Sequence, residues 1–92
     1  MANHIPYGYR IEKGVAVIDE GQAEQVRTLF SGSLSGLALV LAAEAAGLTL
    51  FHGGATRMLQ KEHYLGDEFY HAFIASETFS KVAEDRHRRA RH

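Results

Sequence analysis

The stretch LALVLAAEAAGLTLFHGGATRMLQKE, residues 37–62, decides the fold of this chain. Its first ten residues are apolar except for Glu44, and Gly47 followed by Leu48 is typical of a helix C-terminus. After Gly53 and Gly54, helical spacing continues over residues 55–62, with the inner positions Ala55, Met58 and Leu59. Two helices joined by a short connection that contains glycine predict a helix-turn-helix variant.

A longer helix precedes this stretch. Asp19 is a favoured N-cap residue, and Gln22 three positions later can complete a capping box. Ser35 and Gly36 end the helix, and Ser35 is also a candidate cap for the helix over residues 37–46. Between these limits, apolar side chains recur at spacings of three and four and predict one face against the core: Ala23, Val26, Leu29, Phe30 and Leu34.

The residues before this helix predict a β-hairpin. Residues 5–11 and residues 15–18 are rich in aromatic and β-branched side chains, which favour strands. Gly14 stands between them, where a tight turn requires positive φ. Residues 69–74 have a similar composition, so we predict a further strand that joins the hairpin.

The end of the chain predicts a turn and a last helix. Gly66 and Asp67 predict the turn, and Ser76 predicts the N-cap of the helix. The apolar stripe of this helix is Phe79, Val82 and Ala83. The expected fold class is therefore α+β, with three to four helices and a helix-turn-helix variant packed on a small antiparallel sheet.

Length and composition limit the classes of function. Ninety-two residues, 46% of them hydrophobic, suffice for one modest core, so we predict a single domain over residues 1–92. The ten-residue apolar run is shorter than the roughly 20 residues that span a bilayer, so it predicts a buried helix and no membrane partner. The first residues lack the features of a signal peptide and the chain has no cysteine, so we expect a cytoplasmic protein.

The residues offer little for catalysis. In GSLSG, residues 32–36, a leucine stands where a nucleophile elbow needs serine. The six histidines include no pair at i, i+4 spacing and no metal-binding motif, so we expect no metal and no cofactor. Asp67 and Glu68 are adjacent and would point to opposite sides of an extended chain. We therefore expect no enzymatic activity from this domain.

The outer side of the second helix of the helix-turn-helix carries residue types that read DNA bases. Thr56, Arg57, Gln60 and Lys61 lie there. In the major groove arginine pairs with guanine and glutamine with adenine. Spacing alone favours an ordinary solvated helix face for these four residues.

Further residues are candidates for contact with the DNA backbone. Glycine N–H groups at a helix start, arginines and tyrosine hydroxyls can all reach phosphates. The candidates are Gly53, Gly54, Tyr7, Arg10, Arg88 and Arg89. Each class has a structural alternative: a flexible loop for the glycines, packing for a tyrosine, and a solubilising helix C-terminus for the arginines. Tyr9 is expected to pack.

The charge balance is unusual for a DNA-binding domain, because phosphate contacts come from lysine and arginine. The net charge is −1. Up to His52 there are three basic and five acidic residues, whereas the rest of the chain has seven basic and six acidic residues. The basic charge therefore lies late in the chain, where Arg86, Arg88, Arg89 and Arg91 follow one another closely.

Several ordered segments resemble the recombinase domain of large serine site-specific recombinases. They are PYGY at 6–9, VID at 17–19, EQVRTLF at 24–30, LSG at 34–36, AAE at 42–44, ML at 58–59, YLGD at 64–67, AFIASETF at 72–79 and the arginine-rich tail. The resemblance covers nearly the whole chain and favours DNA contact over a solvated face for the second helix of the motif. It implies a DNA-binding module that, in intact members, follows a catalytic domain with a nucleophilic serine and precedes a zinc ribbon. Neither neighbour is present in these residues. The implied partners are DNA and a recombinase catalytic domain, in cis or in trans.

The sequence also departs from this family. The segment between residues 47 and 57 is short and lacks a proline-rich connection and a tryptophan, and Glu62-His63 replaces asparagine-proline. Because these changes fall in the recognition region, a second hypothesis stays open, a stand-alone protein-interaction or regulatory module derived from such a recombinase. A third, an independent enzyme, lacks a catalytic constellation. A homodimer is compatible with the first two hypotheses.

Overall fold

The computed structural model describes residues 5–89, except for the side chains of His52 and Arg89. The elements in chain order are β1 (Tyr9–Glu12), β2 (Val15–Ile18), α1 (Glu20–Leu34), α2 (Leu39–Ala45), α3 (His52–Leu59), a 3-10 helix (Glu62–Leu65) and α4 (Ser76–Arg89). The central helix α1 packs against α2, α3 and α4. Four α-helices and a two-stranded antiparallel sheet in the described range confirm the expected α+β class.

The strands β1 and β2 form the predicted hairpin, with Tyr9 opposite Ile18 at its open end. The turn residues Lys13 and Gly14 both have positive φ, 52° and 82°. Positive φ at both positions lets a two-residue turn match the right-handed twist of the strands. Tyr9 and Ala16 are buried, and the hairpin joins the core through Tyr9 of β1 and the partly buried Ile18 of β2.

The helix α1 begins as predicted but is tied to the N-terminal segment in a different way. Asp19 Oδ1 accepts a hydrogen bond from the backbone N–H of Gln22 at 3.1 Å, which is an N-cap. The Gln22 side chain does not complete a capping box, because its Oε1 accepts from the N–H of Gly8 at 2.9 Å. The N–H of Asp19 donates to the Gly8 carbonyl at 2.9 Å instead. The predicted inner stripe is confirmed, with four members buried and Leu34 half-buried at its end: Ala23, Val26, Leu29 and Phe30.

The helix α2 begins two residues later than predicted, with Ala38 as its N-cap. Ser35 does not cap it, because the Ser35 hydroxyl donates to the Gly32 carbonyl at 3.0 Å, at the end of α1. The predicted glycine-terminated end is confirmed. The N–H of Gly47 donates to Glu44 O at 3.0 Å, and the next N–H donates to Ala43 O at 2.8 Å.

Only one side of α2 is buried. Leu39, Ala42 and Ala43 are buried, whereas Val40 and Leu41 are 42% and 53% exposed. The expectation of a buried helix is therefore wrong for half of its surface. The reason is that α2 packs on α1 and α3, which cover one side of a seven-residue helix.

The helix α3 begins and ends earlier than predicted. It starts at His52, so Gly53 and Gly54 lie in its first turn rather than before it. It ends at Leu59, so Gln60 is its C-cap and Lys61 lies beyond it. The inner stripe is as predicted, since the buried residues of α3 are Ala55, Met58 and Leu59.

The predicted strand over residues 69–74 is wrong. Asp67 Oδ1 accepts from the N–H groups of Phe69 and Tyr70, both at 2.8 Å, and the N–H of Asp67 donates to Tyr70 O. This turn occupies backbone groups that a strand would need, which is how aspartate competes with regular structure. Further along, the N–H groups of Phe73 and Ile74 both donate to Tyr64 O, at 3.1 and 3.2 Å.

The helix α4 differs from the prediction at its start and along its stripe. Ser76 is its first residue rather than its cap, because the N–H of Phe79 donates to Ala75 O at 3.0 Å. Val82 is buried and Phe79 is half-buried, but Ala83 is exposed. The apolar stripe therefore ends at Val82.

The core lies where α1 meets the other helices and the segment after α3. Its fully buried large side chains include Tyr64, Phe30, Leu29, Leu59, Val26 and Val82. No helix of the described range is long and apolar enough to cross a bilayer.

Candidate nucleic-acid interface

The packing of α4 beside α3 brings two sets of predicted DNA-contacting residues together. Arg86 Nη2 donates to Thr56 Oγ1 at 3.2 Å, and both side chains are half-buried. Arg57, next to Thr56, is exposed. Arg88, two residues after Arg86, is 67% exposed. Two residues span roughly 200° around a helix, so Arg88 lies on a different side of α4 from Arg86. We call the three residues Thr56, Arg57 and Arg86 the α3–α4 face.

Within the α3–α4 face, Arg57 is the side chain best placed to reach a base. It projects from the last turn of α3, and among the described side chains it forms no ion pair within 4.0 Å. Thr56 is less available, because its hydroxyl already accepts the hydrogen bond from Arg86. The outer stripe expected along α3 is thus reduced to one exposed arginine and one half-buried threonine.

Gln60 and Lys61, the other predicted base-reading residues, do not lie on α3. Gln60 is the exposed C-cap, and Lys61 is the half-buried residue before the 3-10 helix. Both therefore follow the end of α3 and do not continue the helix face of Thr56 and Arg57. The helix is shorter than expected because the N–H groups of Gln60 and Lys61 form i→i+3 bonds to Arg57 O and Met58 O.

Gly53 and Gly54 lie at the first turn of α3, close to where they were predicted. The N-cap is Phe51, whose side chain makes no capping hydrogen bond, so the first-turn N–H groups receive no side-chain acceptor. Gly53 is exposed, and a Cβ atom placed on it would meet nothing within 4 Å. A phosphate or another surface can therefore approach this backbone closely.

The structure ties Tyr7 and Arg10 into local contacts. The Tyr7 hydroxyl donates to Gln25 Oε1, and Gln25 Nε2 donates to Gly47 O at 3.2 Å. This chain of bonds connects the segment before β1 to α1 and to the residue that follows the C-cap of α2. Arg10 Nε and Nη2 both donate to Glu12 Oε2, at 3.0 and 2.7 Å, on the exposed side of β1.

Tyr9 packs in the core, as expected. Its single hydroxyl hydrogen is shared between the carbonyl oxygens of His63 and His71, which lie 2.9 and 2.6 Å from the hydroxyl oxygen, and the centroid of its ring lies 4.8 Å from that of Tyr70. Burial, with smaller contributions from Asp67 and Tyr70, raises the pKa of Tyr9 to about 12. The hydroxyl therefore stays protonated and holds the segment after α3 to the hairpin.

One arginine of α4, Arg88, is paired with a carboxylate of its own helix. Arg88 Nη2 lies 2.6 Å from Asp85 Oδ1, one turn earlier. Arg89 is the last described residue of α4, and its side chain lies outside the described part of the structure, as does Arg91. The sequence places Arg86 in the arginine-rich tail of the chain. Its contact with Thr56, 30 positions away, depends on how α3 and α4 pack.

The described residues hold no cluster of three or more histidine, cysteine, aspartate or glutamate side chains arranged to bind a metal ion. The GSLSG segment lies at the end of α1, where Ser33 is fully buried. Neither feature adds a chemical centre to the α3–α4 face.

No protein-family model, no curated protein and no solved structure matches this chain.

Proposed function

We propose that this chain is the duplex DNA-binding domain of a serine site-specific recombinase, without catalytic activity of its own. The observation that carries the proposal is the hydrogen bond between Arg86 and Thr56, because it sets the basic part of α4 beside the exposed side of α3. The order of α2, a short connection and α3 supports a helix-turn-helix variant, in which the second helix enters the major groove.

The residues of α3 and α4 would divide the work by chemistry. Arg57 would contact a base edge, since arginine donates two hydrogen bonds to guanine. Arg88 and the backbone N–H groups of Gly53 and Gly54 would contact phosphates, which position the protein without reading sequence. Strand cleavage would come from a serine of a recombinase catalytic domain, in cis or in trans.

The charge pattern sets the expected strength of binding. The net charge is −1, and Arg10, Arg27 and Arg88 each lie within 4.0 Å of a carboxylate. Few arginines are thus available for phosphates, and each phosphate contact contributes about 0.9 to the slope of log K against log salt. We expect modest affinity and a shallow salt dependence.

The test is a titration of random duplex and of candidate attachment-site duplex over a range of salt concentrations. Fluorescence anisotropy measures the binding. Arg57→Ala should lose about 1–3 kcal/mol of preference for the site over random duplex. A double change of Arg88 and Arg89 to alanine should weaken binding to both duplexes alike.

Lys13→Ala is the matched control, because it removes one positive charge from the hairpin turn. It should change neither the preference for the site over random duplex nor the affinity for either duplex. Absence of binding to any duplex at the lowest salt would overturn the proposal, and an equal effect of Arg57→Ala on every duplex would remove Arg57 from base recognition.

A second candidate function, a protein-interaction or regulatory module derived from such a recombinase, is favoured by one observation. Four large apolar side chains on and beside α2 are exposed: Leu37, Val40, Leu41 and Phe51. Exposed apolar clusters of this kind mark interaction surfaces. A chain that binds no DNA at low salt would leave this function as the better explanation.

A further inference from the structure

The arginines whose side chains the structure describes fall into two groups. Three of them lie within 4.0 Å of a carboxylate: Arg10, Arg27 and Arg88. The other two, Arg57 and Arg86, form no ion pair with any described side chain, and both belong to the α3–α4 face. The arginine charge that carboxylates leave uncompensated therefore lies on this face, in a chain whose net charge is −1.

The sequences of the two helices explain why Arg86 has no carboxylate partner there. The positions three and four residues before it, which share its side of α4, are Ala83 and Val82. Glu84 and Asp85 directly precede Arg86, and helix geometry places them on other sides of α4. The helix α3, which Arg86 contacts, has no acidic residue at all. The two helices that form this face therefore leave its positive charge uncompensated.

The hydrogen bond to Thr56 orients Arg86 without neutralising it. Arg86 Nη2 donates to Thr56 Oγ1 at 3.2 Å, and Arg86 is half-buried. Because a hydroxyl carries no charge, the guanidinium stays a cation that has lost part of its hydration, and this favours an anion as a further partner. The bond uses one of five N–H groups, and no other hydrogen bond joins the Arg86 side chain to a described residue. The remaining N–H groups suffice for bidentate contact with phosphate oxygens.

We propose that Arg86 binds a phosphate group of the DNA backbone beside Arg57, and that Thr56 positions the Arg86 guanidinium for this contact. The inference rests on the proposed DNA binding and adds a phosphate-contacting residue to it. With Arg57 at a base edge, a phosphate held by Arg86 would fix the position of α3 over the groove. Phosphate contacts carry no sequence information, so Arg86 should act equally on every duplex.

A purely structural role for Arg86 predicts a different result. If Arg86 only ties α4 to α3, its replacement lowers Tm and leaves the electrostatics of DNA binding unchanged. A phosphate contact, in contrast, releases a counterion from the duplex and contributes about 0.9 to the slope of log K against log salt. The salt slope measured on random duplex therefore separates the two roles, and it does so without any contribution from base recognition.

The experiment is a titration of random duplex with the full chain over a range of salt concentrations, measured by fluorescence anisotropy. Arg86→Gln should reduce the magnitude of the salt slope by about 0.9 and weaken binding at the lowest salt by about tenfold. Arg86→Lys keeps the charge and should keep the slope, with a smaller loss of affinity because lysine lacks the planar guanidinium. Thr56→Val removes the positioning hydroxyl and should also weaken binding at an unchanged slope.

Lys81→Gln is the matched control, because Lys81 is an exposed cation of the same helix and its replacement changes the net charge by the same amount. Lys81 lines a groove with Leu34 of α1 rather than with α3. The salt slope of Lys81→Gln should equal that of the parent chain, and circular dichroism should show every variant folded.

A second measurement needs no substitution. In the NMR spectrum of the parent chain, the Nε–H resonance of Arg86 should shift when random duplex is added. The Nε–H resonance of Arg27 should not shift, because Arg27 Nε donates to the Phe73 carbonyl at 3.3 Å and the same side chain pairs with Glu24.

The outcomes separate this inference from the proposed function. If the parent chain binds duplex while Arg86→Gln keeps the full salt slope, or while the Arg86 resonance does not shift, the inference is overturned and the DNA-binding proposal stands. An equal loss of slope in Lys81→Gln would overturn the inference as well, because the effect would then be one of overall charge. Absence of binding by the parent chain at the lowest salt would remove both the inference and the proposed function.

Discussion

At the scale of single residues, several positions that suggested a family also have a structural role in this chain. Gly8 has φ of 110°, and a Cβ atom placed on it would lie 2.6 Å from Cζ of Phe73. An alanine there would be strained by the backbone and by the ring at once. Tyr64 is fully buried, and its ring lies 4.9 Å from that of Phe73. These residues fasten the N-terminal segment to the segment after α3.

The raised pKa of the Tyr9 hydroxyl predicts that the protein loses stability in alkaline solution. Its folded pKa is about 12, above the ordinary value of 10. Below pH 10 both the folded and the unfolded chain keep the proton, so the contribution to stability is complete. Between pH 10 and 12 only the unfolded chain loses it, so the free energy of unfolding falls as pH rises.

Tyr9→Phe should reduce this alkaline loss. At neutral pH it should cost about 0.5–1.5 kcal/mol, because the one hydroxyl hydrogen that the carbonyl oxygens of His63 and His71 share is lost. Urea unfolding at a series of pH values measures both effects. An alkaline fall as steep in Tyr9→Phe as in the parent chain would contradict the assignment. A smaller remaining fall belongs to Tyr64, whose pKa is also raised by burial.

At the scale of elements, the helices differ in how their N-termini are satisfied. Asp19 caps α1 with its side chain, whereas Ala38 and Phe51 give α2 and α3 no side-chain cap. The helices α2 and α3 are also the shortest α-helices in the described range, with seven and eight residues. They therefore depend on packing against α1 more than on their own termini.

An added cap should stabilise α2. Ala38 is exposed and has φ of −59° and ψ of 149°, a conformation that suits an N-cap. Ala38→Asp should add about 1 kcal/mol, which corresponds to roughly 4–8 °C in Tm for a domain of this size. Thermal unfolding followed by circular dichroism gives the measurement.

Ala45→Asp is the matched control, because Ala45 is exposed at the other end of the same helix. A carboxylate near a helix C-terminus is unfavourable, so Tm should fall. If both changes shifted Tm in the same direction, the effect would be one of net charge rather than of capping.

The strand predicted over residues 69–74 shows where element prediction failed. The composition of that segment favours a strand, but Asp67 closes a turn on Phe69 and Tyr70. The N–H groups of these residues hold the pKa of the Asp67 carboxyl below its ordinary value, with a smaller contribution from His63. Composition alone does not show which backbone groups a nearby carboxylate will occupy.

At the scale of the whole molecule, two exposed arginines on different surfaces are each paired with a carboxylate. Arg88 lies 2.6 Å from Asp85 on α4, and Arg10 lies 2.7 Å from Glu12 on β1. Both pairs are solvent-exposed, so each contributes little to stability. Removal of either carboxylate changes the net charge of the chain by the same amount, so the two pairs can be compared directly.

Asp85→Asn and Glu12→Gln form a matched pair of tests for the proposed DNA surface. If the DNA backbone reaches the end of α4, Asp85→Asn should release Arg88 for one more phosphate and steepen the salt slope by about 0.9. Glu12→Gln should have a smaller effect unless the hairpin also touches DNA. Equal strengthening by both would indicate a general effect of charge, and strengthening by Glu12→Gln alone would place the interface on the hairpin.

The sequence by itself determined the features that depend on neighbours a few residues apart. Positive φ places the hairpin turn at Lys13 and Gly14 and the end of α2 at Gly47. Capping chemistry places the start of α1 at Asp19, and spacing predicts its buried stripe. Those interactions close within one turn, so the order of residues reveals them.

Only the tertiary structure decided which side of α2 is buried and which arginine meets Thr56. Arg86 and Thr56 are 30 positions apart, and Tyr9 and His71 are 62 apart. Helical spacing shows that α2 is apolar nearly all round, but α1 and α3 select the side that leaves Val40 and Leu41 exposed. Periodicity shows which residues share a face of an element, whereas packing between distant elements decides which face is covered.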